Sequence, residues 1–166
     1  KYLTDKKLFY GNNINMLDGS KNHYLFENAM IDLNSHTLLA KDVEINFAKN
    51  IFGNLNNDPR LKGTSLSTNN NTTIIKNGIF TSCKKNDDCP PWSLQSSEIK
   101  HDKIKQTINY KNAWLKIYDK PIFYFPKFFH PDPTVKRQSG FLMPGILNSS
   151  TSGNSIKIPY FAAISG

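Results

Sequence analysis

No segment of this chain keeps apolar residues at i, i+3, i+4 and i+7 over three turns, and Asn, Thr, Ser and Gly recur every few residues. A helical core is therefore excluded, and period-two alternation takes its place. Alternating stretches rich in β-branched and aromatic residues fall at 24–31, 37–47, 72–80, 92–99, 105–110, 113–118 and 122–125, with turn-type residues between them. Repeats of 8–14 residues suit an all-β sandwich, jelly roll or open β-roll. The Asn-rich stretches 53–59 and 67–71 read as loops.

An internal echo supports a repetitive sheet. At an offset of 70 residues, TLLAKDVEINF at 37–47 aligns with TINYKNAWLKI at 107–117, and each reads as strand, polar corner, strand. Apolar residues hold alternate positions after each corner: Val43, Ile45 and Phe47 in the first, Ala113, Leu115 and Ile117 in the second. Successive side chains of a strand point to opposite faces, so each segment carries one continuous apolar face. Two amphipathic hairpins that are alike by chance are the alternative.

With 166 residues the chain has room for one domain plus an appendage, burying about 70 % of the surface its unfolded form exposes. Its aromatic content, 11 Phe, 7 Tyr and 2 Trp, is too high for a disordered chain. No run of 18 apolar residues is present, which argues against a membrane-spanning helix or a signal-peptide core. Barrel strands need only about 9–11 alternating residues and escape that test. Lys1 in the first position makes an excised fragment the expectation.

Charge is unevenly distributed. Residues 100–137 hold eight Lys and Arg137 against Asp102, Asp119 and Asp132, a net of +6, whereas residues 1–99 net only +1. Such a face attracts anions, unless it is only a solvated lysine-rich surface. Nucleic acid is not expected as a partner, since Arg60 and Arg137 are the only arginines and no nucleic-acid-binding motif occurs.

Catalytic and metal-binding patterns are absent: no GxSxG, HExxH, P-loop or paired-carboxylate arrangement occurs. His101 and Asp102 are adjacent on a strand and point to opposite faces, so they form no dyad. His23, His36 and His130 read as surface or capping residues. No cofactor, metal or enzymatic activity is expected. Cys83 and Cys89, five residues apart, match neither a CxxC redox pair nor a zinc site. In an oxidising compartment they can close a small loop worth about 2 kcal/mol, and in a reducing one they stay as thiols.

The aromatic segment 121–129 has two readings. Ile122, Phe123, Tyr124 and Phe125 form a strand buried on both faces, or Tyr124, Phe125, Phe128 and Phe129 form an aromatic collar facing membrane or acyl chains. From Pro126 onward, Pro126, Pro131, Pro133 and Pro144 interrupt any ladder and suggest a linker, because proline lacks the N–H that a central strand donates. Beyond it, segments 139–143 and 155–164 flank a polar loop at 148–154 and read as a hairpin.

The series FTSC at 80–83, PPW at 90–92, SEIKHD at 97–102, YKNAWLKI at 110–117, PIFYFPKFFHPDPTVKRQSGFLMP at 121–144 and PYFAAI at 159–164 resembles the LptD/OstA family of lipopolysaccharide-assembly proteins. The similarity is dense from residue 73 to 164 and fragmentary before that. The resemblance implies a periplasmic OstA-like β-jelly roll at 1–129, a linker at 130–138, and the first two strands of an outer-membrane β-barrel at 139–166. It implies lipopolysaccharide as cargo, an LptA-like periplasmic bridge of similar fold, an LptE-like lipoprotein plug, and the outer membrane as location. Pro144 and Pro159 fall where the family has prolines weakening a lateral gate between barrel strands. Cys83 matches a family cysteine bonded to the C-terminal part of the barrel, and Cys89 departs from that pattern.

Under this resemblance an apolar trough would receive lipid A acyl chains, with Leu38, Val43, Ile45, Phe47, Ile79, Leu94, Ile99, Ile108, Ala113, Leu115 and Ile117 as its expected lining. Phosphorylated sugars would sit near Lys100, Lys103 and Lys105. The competing reading is a non-catalytic periplasmic or extracellular β-module that binds lipid or carbohydrate and has no barrel.

Overall fold

A computed structural model describes residues 2–49, 57–85, 91–132, 135, 139–141, 145–149, 153–157 and 159–164. Nine strands form one antiparallel sheet in strict chain order: β1 (Tyr2–Leu3), β2 (Leu8–Leu17), β3 (His23–Asp32), β4 (Thr37–Asn46), β5 (Arg60–Thr68), β6 (Thr72–Thr81), β7 (Trp92–Asp102), β8 (Thr107–Ile117) and β9 (Lys120–Pro131). The sheet does not close on itself, so the fold is an open all-β jelly roll. Two shorter antiparallel pairs follow, β10 (Gly140–Phe141) with β13 (Tyr160–Phe161) and β11 (Gly145–Ser149) with β12 (Gly153–Lys157).

The long strands do not alternate from end to end. Midway along them the pattern becomes inside, outside, outside, inside, as in Phe26–Ala29 of β3, Ala40–Val43 of β4, Ile75–Gly78 of β6 and Tyr110–Ala113 of β8. On even-numbered strands the second outer residue of this step has a left-handed backbone: Asn13, Asp42, Asn77 and Asn112 have φ of 49°, 47°, 48° and 51°. Asn and Asp tolerate that conformation better than other L-residues, which explains their recurrence here. The ladder registers place all four on one transverse line across the sheet, opposite Glu27, Thr64, Ser97 and Pro126 of the intervening strands. Along that line the sheet bends, and its two halves become facing walls.

Side-chain size is matched to the bend. Strands β2 to β8 each set one small residue beside one large one: Gly11 with Ile14, Ala29 with Phe26, Ala40 with Val43, Gly63 with Leu66, Gly78 with Ile75, Ser96 with Ile99, Ala113 with Tyr110. A Cβ on Gly78 would collide with the Ile99 side chain, and one on Gly63 with Ile75. Across the bend of these strands bulk on one side is matched by its absence on the other, whereas at the β9 edge Phe125 and Phe128 both turn inward, their ring centroids 5.5 Å apart.

Hairpins at one end repeat as well. Asp32 Oδ1 accepts from the Asn34 and Ser35 amides, Asn69 Oδ1 from Asn71 and Thr72, and Asp102 Oδ1 from Ile104 and Lys105. These side chains replace backbone partners that the chain leaves behind on turning. The echo at 37–47 and 107–117 thus belongs to a pattern of hairpins, and its polar corners are Asp42 and Asn112. Each echo segment is one bent strand rather than two, so the separate strands expected at 105–110 and 113–118 merge into β8.

Pro126 requires a second correction. β9 runs through it to Pro131, where a linker was expected to begin. It sits on the bend opposite Asn112, between the Lys111–Lys127 and Ala113–Phe125 pairs, where no ladder partner is needed. Two strands escape the alternation rule: β2 carries Gly-Asn-Asn, and β5 carries Gly63 and four Ser/Thr, which leave Leu61 and Leu66 as its only apolar side chains.

Candidate functional site

Between the two walls lies a cavity of ≈ 420 Å³. That volume falls within the range of about 300–1,000 Å³ common for small-ligand sites. One wall contributes Leu38, Leu66, Ile75, Ile99, Ile108 and Tyr110, and the other contributes Met16, Tyr24, Ile45, Phe47, Leu61 and Phe80. Phe80 packs between Phe47 at 6.4 Å and Trp92 at 5.9 Å, a ring ladder that stiffens the second wall.

The expected trough residues separate into three groups. Leu38, Ile45, Phe47, Ile99 and Ile108 line the cavity. Val43, Leu94, Ala113 and Leu115 lie in the tightly packed core beside it, with Ala113 and Leu115 at 0 % and 2 % exposure, and Ile117 packs against that core half-buried. Ile79 does neither. It faces outward and is 41 % exposed, because the bend falls at Lys76–Asn77 and passes the inner positions to Gly78 and Phe80. Alternation counted from Ile75 on one parity, without that step, puts the wrong residue inside. Met16, Tyr24, Leu61, Leu66, Ile75, Phe80 and Tyr110 are lining residues that the alternation pattern did not single out. Their signal was the spacing of three across each bend.

One end of the cavity is polar. Thr68, Thr73, His101, Lys103, His130 and Asp132 gather there. His101 Nε2 lies 2.6 Å from Asp132 Oδ2, a polar contact joining β7 to the segment leaving β9. His130 Nδ1 donates to the Pro131 carbonyl at 2.7 Å, leaving Nε2 to accept from the Tyr110 hydroxyl at 2.9 Å. Burial pushes the His130 pKa down, against the raising influence of the Pro131 carbonyl and Asp132, so the ring is held neutral. Burial likewise pushes the Tyr110 phenol well up. At the opposite side Tyr24, its pKa raised to about 12 by burial and by the neighbouring Asp18, donates to Asp18 at 3.0 Å. Asp102 takes no part in the histidine cluster and instead closes the β7–β8 turn.

Among the lysines expected near an anionic headgroup, only Lys103 reaches the cavity, its Nζ donating to the Asn69 carbonyl at 2.7 Å and to Thr68 Oγ1 at 3.2 Å. Lys100 lies on the outer face in register with Ile74 and Asn109, and Lys105 is exposed in the turn. Cys83 is half-buried with Sγ 3.7 Å from the Trp92 carbonyl, and Cys89 lies outside the described residues. Pro144 also lies outside them, while Pro159 immediately precedes β13. Among the described residues no group of His, Cys, Asp and Glu is arranged to hold a metal ion, and no helix is long and apolar enough to cross a membrane, which leaves strand-spanning barrels untouched.

The geometry defines an open β-jelly roll with an apolar interior and one polar mouth. Its sequence relatives include LPS-assembly proteins. The chain is 42% identical over 89 residues, 54% of its length, to LPS-assembly protein LptD of Yersinia pestis bv. Antiqua (strain Antiqua). It is 40% identical over 92 residues, 55% of its length, to the LPS-assembly proteins LptD of Sodalis glossinidius (strain morsitans) and Escherichia coli (strain K12). Over that stretch the chain is similar to one region of those proteins, consistent with an LptD-like domain. The alignment spans only 11% of each of those proteins. No family model matches the chain.

Proposed function

We propose that this chain is the part of a lipopolysaccharide-assembly protein that accepts lipid A acyl chains and hands them toward an outer-membrane β-barrel. The observation that carries the reading is the apolar cavity between the bent walls, in a chain similar to proteins named LptD. Each methylene left in water costs about 0.8 kcal/mol, so a lipid with several acyl chains needs a sheltered path between membranes. Leu38, Ile45, Phe47, Ile99 and Ile108 would supply the apolar lining, and the lipid's phosphorylated sugar would stay at the polar mouth near Lys103 and His101. The domain division stands as part of the same proposal: a periplasmic roll, a linker at 130–138 and barrel strands from 139.

An LptA-like protein would deliver the lipid, and an LptE-like lipoprotein would plug the barrel. Pro159, with Pro144, would weaken the strand seam through which the lipid leaves, and Cys83 would fasten the roll covalently. On this reading the chain moves a lipid across the periplasmic face of the outer membrane and catalyses no reaction.

Adjacent residues on opposite faces give the test. A photo-crosslinking amino acid at Leu38, Ile45 or Ile108 should capture lipopolysaccharide in cells, whereas one at Leu39 or Ile79, 44 % and 41 % exposed on the outside, should not. Equal capture from Leu38 and Leu39 would sink the trough. A reading frame that ends without further alternating ten-residue segments would favour a binding module without a barrel.

A further inference from the structure

Exposed apolar side chains concentrate at the β8–β9 edge, where Trp114, Tyr118, Ile122, Phe123, Tyr124 and Phe129 are between 41 % and 57 % exposed. Four of them, Trp114, Ile122, Tyr124 and Phe129, sit at outward positions of the two strands. They do not form the collar of 124, 125, 128 and 129, because Phe125 and Phe128 turn inward onto Tyr110 and the core while Tyr124 and Phe129 face out. Trp114 and Tyr124 pair across the strands with ring centroids 4.9 Å apart, and Asn112 accepts from the Tyr124 hydroxyl at 2.9 Å.

The same surface is basic. Lys111 and Lys127 are direct cross-strand partners on the other slope of the bend, Lys116 and Lys100 lie on the outer face beside them, and Glu98 in that row is already paired with Lys76. Lys111 and Trp114 are three residues apart on one strand, about 10 Å. On a convex bend an aromatic pair thus stands beside a lysine pair. Tryptophan and tyrosine favour the boundary between hydrocarbon and headgroups, and lysines beside them favour anionic headgroups.

We propose that the outer face of β8 and β9 is a membrane-contact surface that rests on an anionic phospholipid bilayer, with Trp114 and Tyr124 in the headgroup layer and Lys111 and Lys127 on phosphates. Charge selects this partner. The two strands and their hairpin carry Lys111, Lys116, Lys120 and Lys127 against Asp119 alone. A second copy of so basic a face would repel, whereas an anionic surface is attracted to it. The inference rests on the reading of the chain as an outer-membrane component, but uses the outside of the roll and not its cavity.

Sedimentation of the chain with vesicles of phosphatidylethanolamine and phosphatidylglycerol tests it, with phosphatidylcholine vesicles beside them. Binding to the anionic vesicles should weaken with salt and protect Trp114 from acrylamide, Trp92 being only 6 % exposed and already shielded. Lys111→Gln and Lys127→Gln should each lower the affinity about fivefold, and Trp114→Ser with Tyr124→Ser should lower the fraction that sediments with the anionic vesicles. Lys41→Gln, four strands and about 20 Å away, is the matched control and should bind normally.

No binding to either vesicle, equal binding to both, equal loss from Lys41→Gln, or concentration-dependent self-association through Trp114 would each overturn the proposal. Failure here with retained lipopolysaccharide capture at Leu38 would reject the membrane face alone. Loss of that capture with vesicle binding intact would reject the trough alone.

Discussion

Removing the matched bulk at the bend should reveal how tightly the two walls are held together. Gly78 has an ordinary backbone conformation, so Gly78→Ala adds only a Cβ, and that atom would meet the side chain of Ile99. Alanine gains about 0.4–1 kcal/mol by restricting the unfolded chain, but forcing a methyl into a packed site costs about 1–3 kcal/mol. The single variant should therefore lose about 1–2 kcal/mol. Ile99→Ala alone, at a position 4 % exposed, should lose about 2–5 kcal/mol through lost burial and the void left behind. Ile99→Ala deletes the atoms that Gly78→Ala strikes, so the double variant should be more stable than the sum of the two losses by about 1–2 kcal/mol. Urea unfolding of the four proteins gives the coupling directly, provided the slope with denaturant stays constant. Additivity within about 0.5 kcal/mol would show that the bend relaxes freely and that its small residues are not set by packing.

Two further outcomes follow from groups at the bend and the mouth. The His130 pKa is lowered by burial, with Asp132 opposing that shift and His101 reinforcing it, so its stabilising contribution is present above the unfolded value near about 6.5 and is lost as pH falls toward the native value. Thermal melts should show stability falling below about pH 6.5, and His130→Phe, which keeps the ring contacts with Tyr110 and Phe128, should lack that slope; an unchanged slope would assign it elsewhere. Asn112→Ala should lose about 1–2 kcal/mol at its left-handed position, whereas Asn112→Gly should lose much less, as read by chemical denaturation; equal losses would discount backbone strain.

The all-β class and four strands, β3, β4, β6 and β7, were legible because alternation holds over most of their length. The bend was not. It requires two consecutive outward residues, and a rule with period two sees there only an interruption, so Lys111–Asn112 divided β8 in the sequence reading and Ile79 was placed inside instead of Phe80. Pro126 was taken as the start of a linker because proline lacks the N–H of a central strand, though at the bend of an edge strand that missing donor costs nothing. The cavity mouth was hidden for another reason. His101, His130 and Asp132 come from two places in the chain, and only the β7–β8–β9 pairing brings them together.

The shared bend has a consequence for what the sheet can recruit. Strand β9 at one edge and most of β2 at the other present backbone donors and acceptors, the arrangement that in flat sheets invites indiscriminate joining to any extended peptide. These edges are not flat. A straight peptide that pairs with β2 up to Asn12 has its side chains on the wrong faces once past Asn13, as after a register slip of one residue. Only a strand that places two outward residues at the same point can follow either edge to its end. The row of asparagines and aspartate thus works as a lock on the sheet's own growth: it admits strands that carry the matching notch and halts the rest halfway.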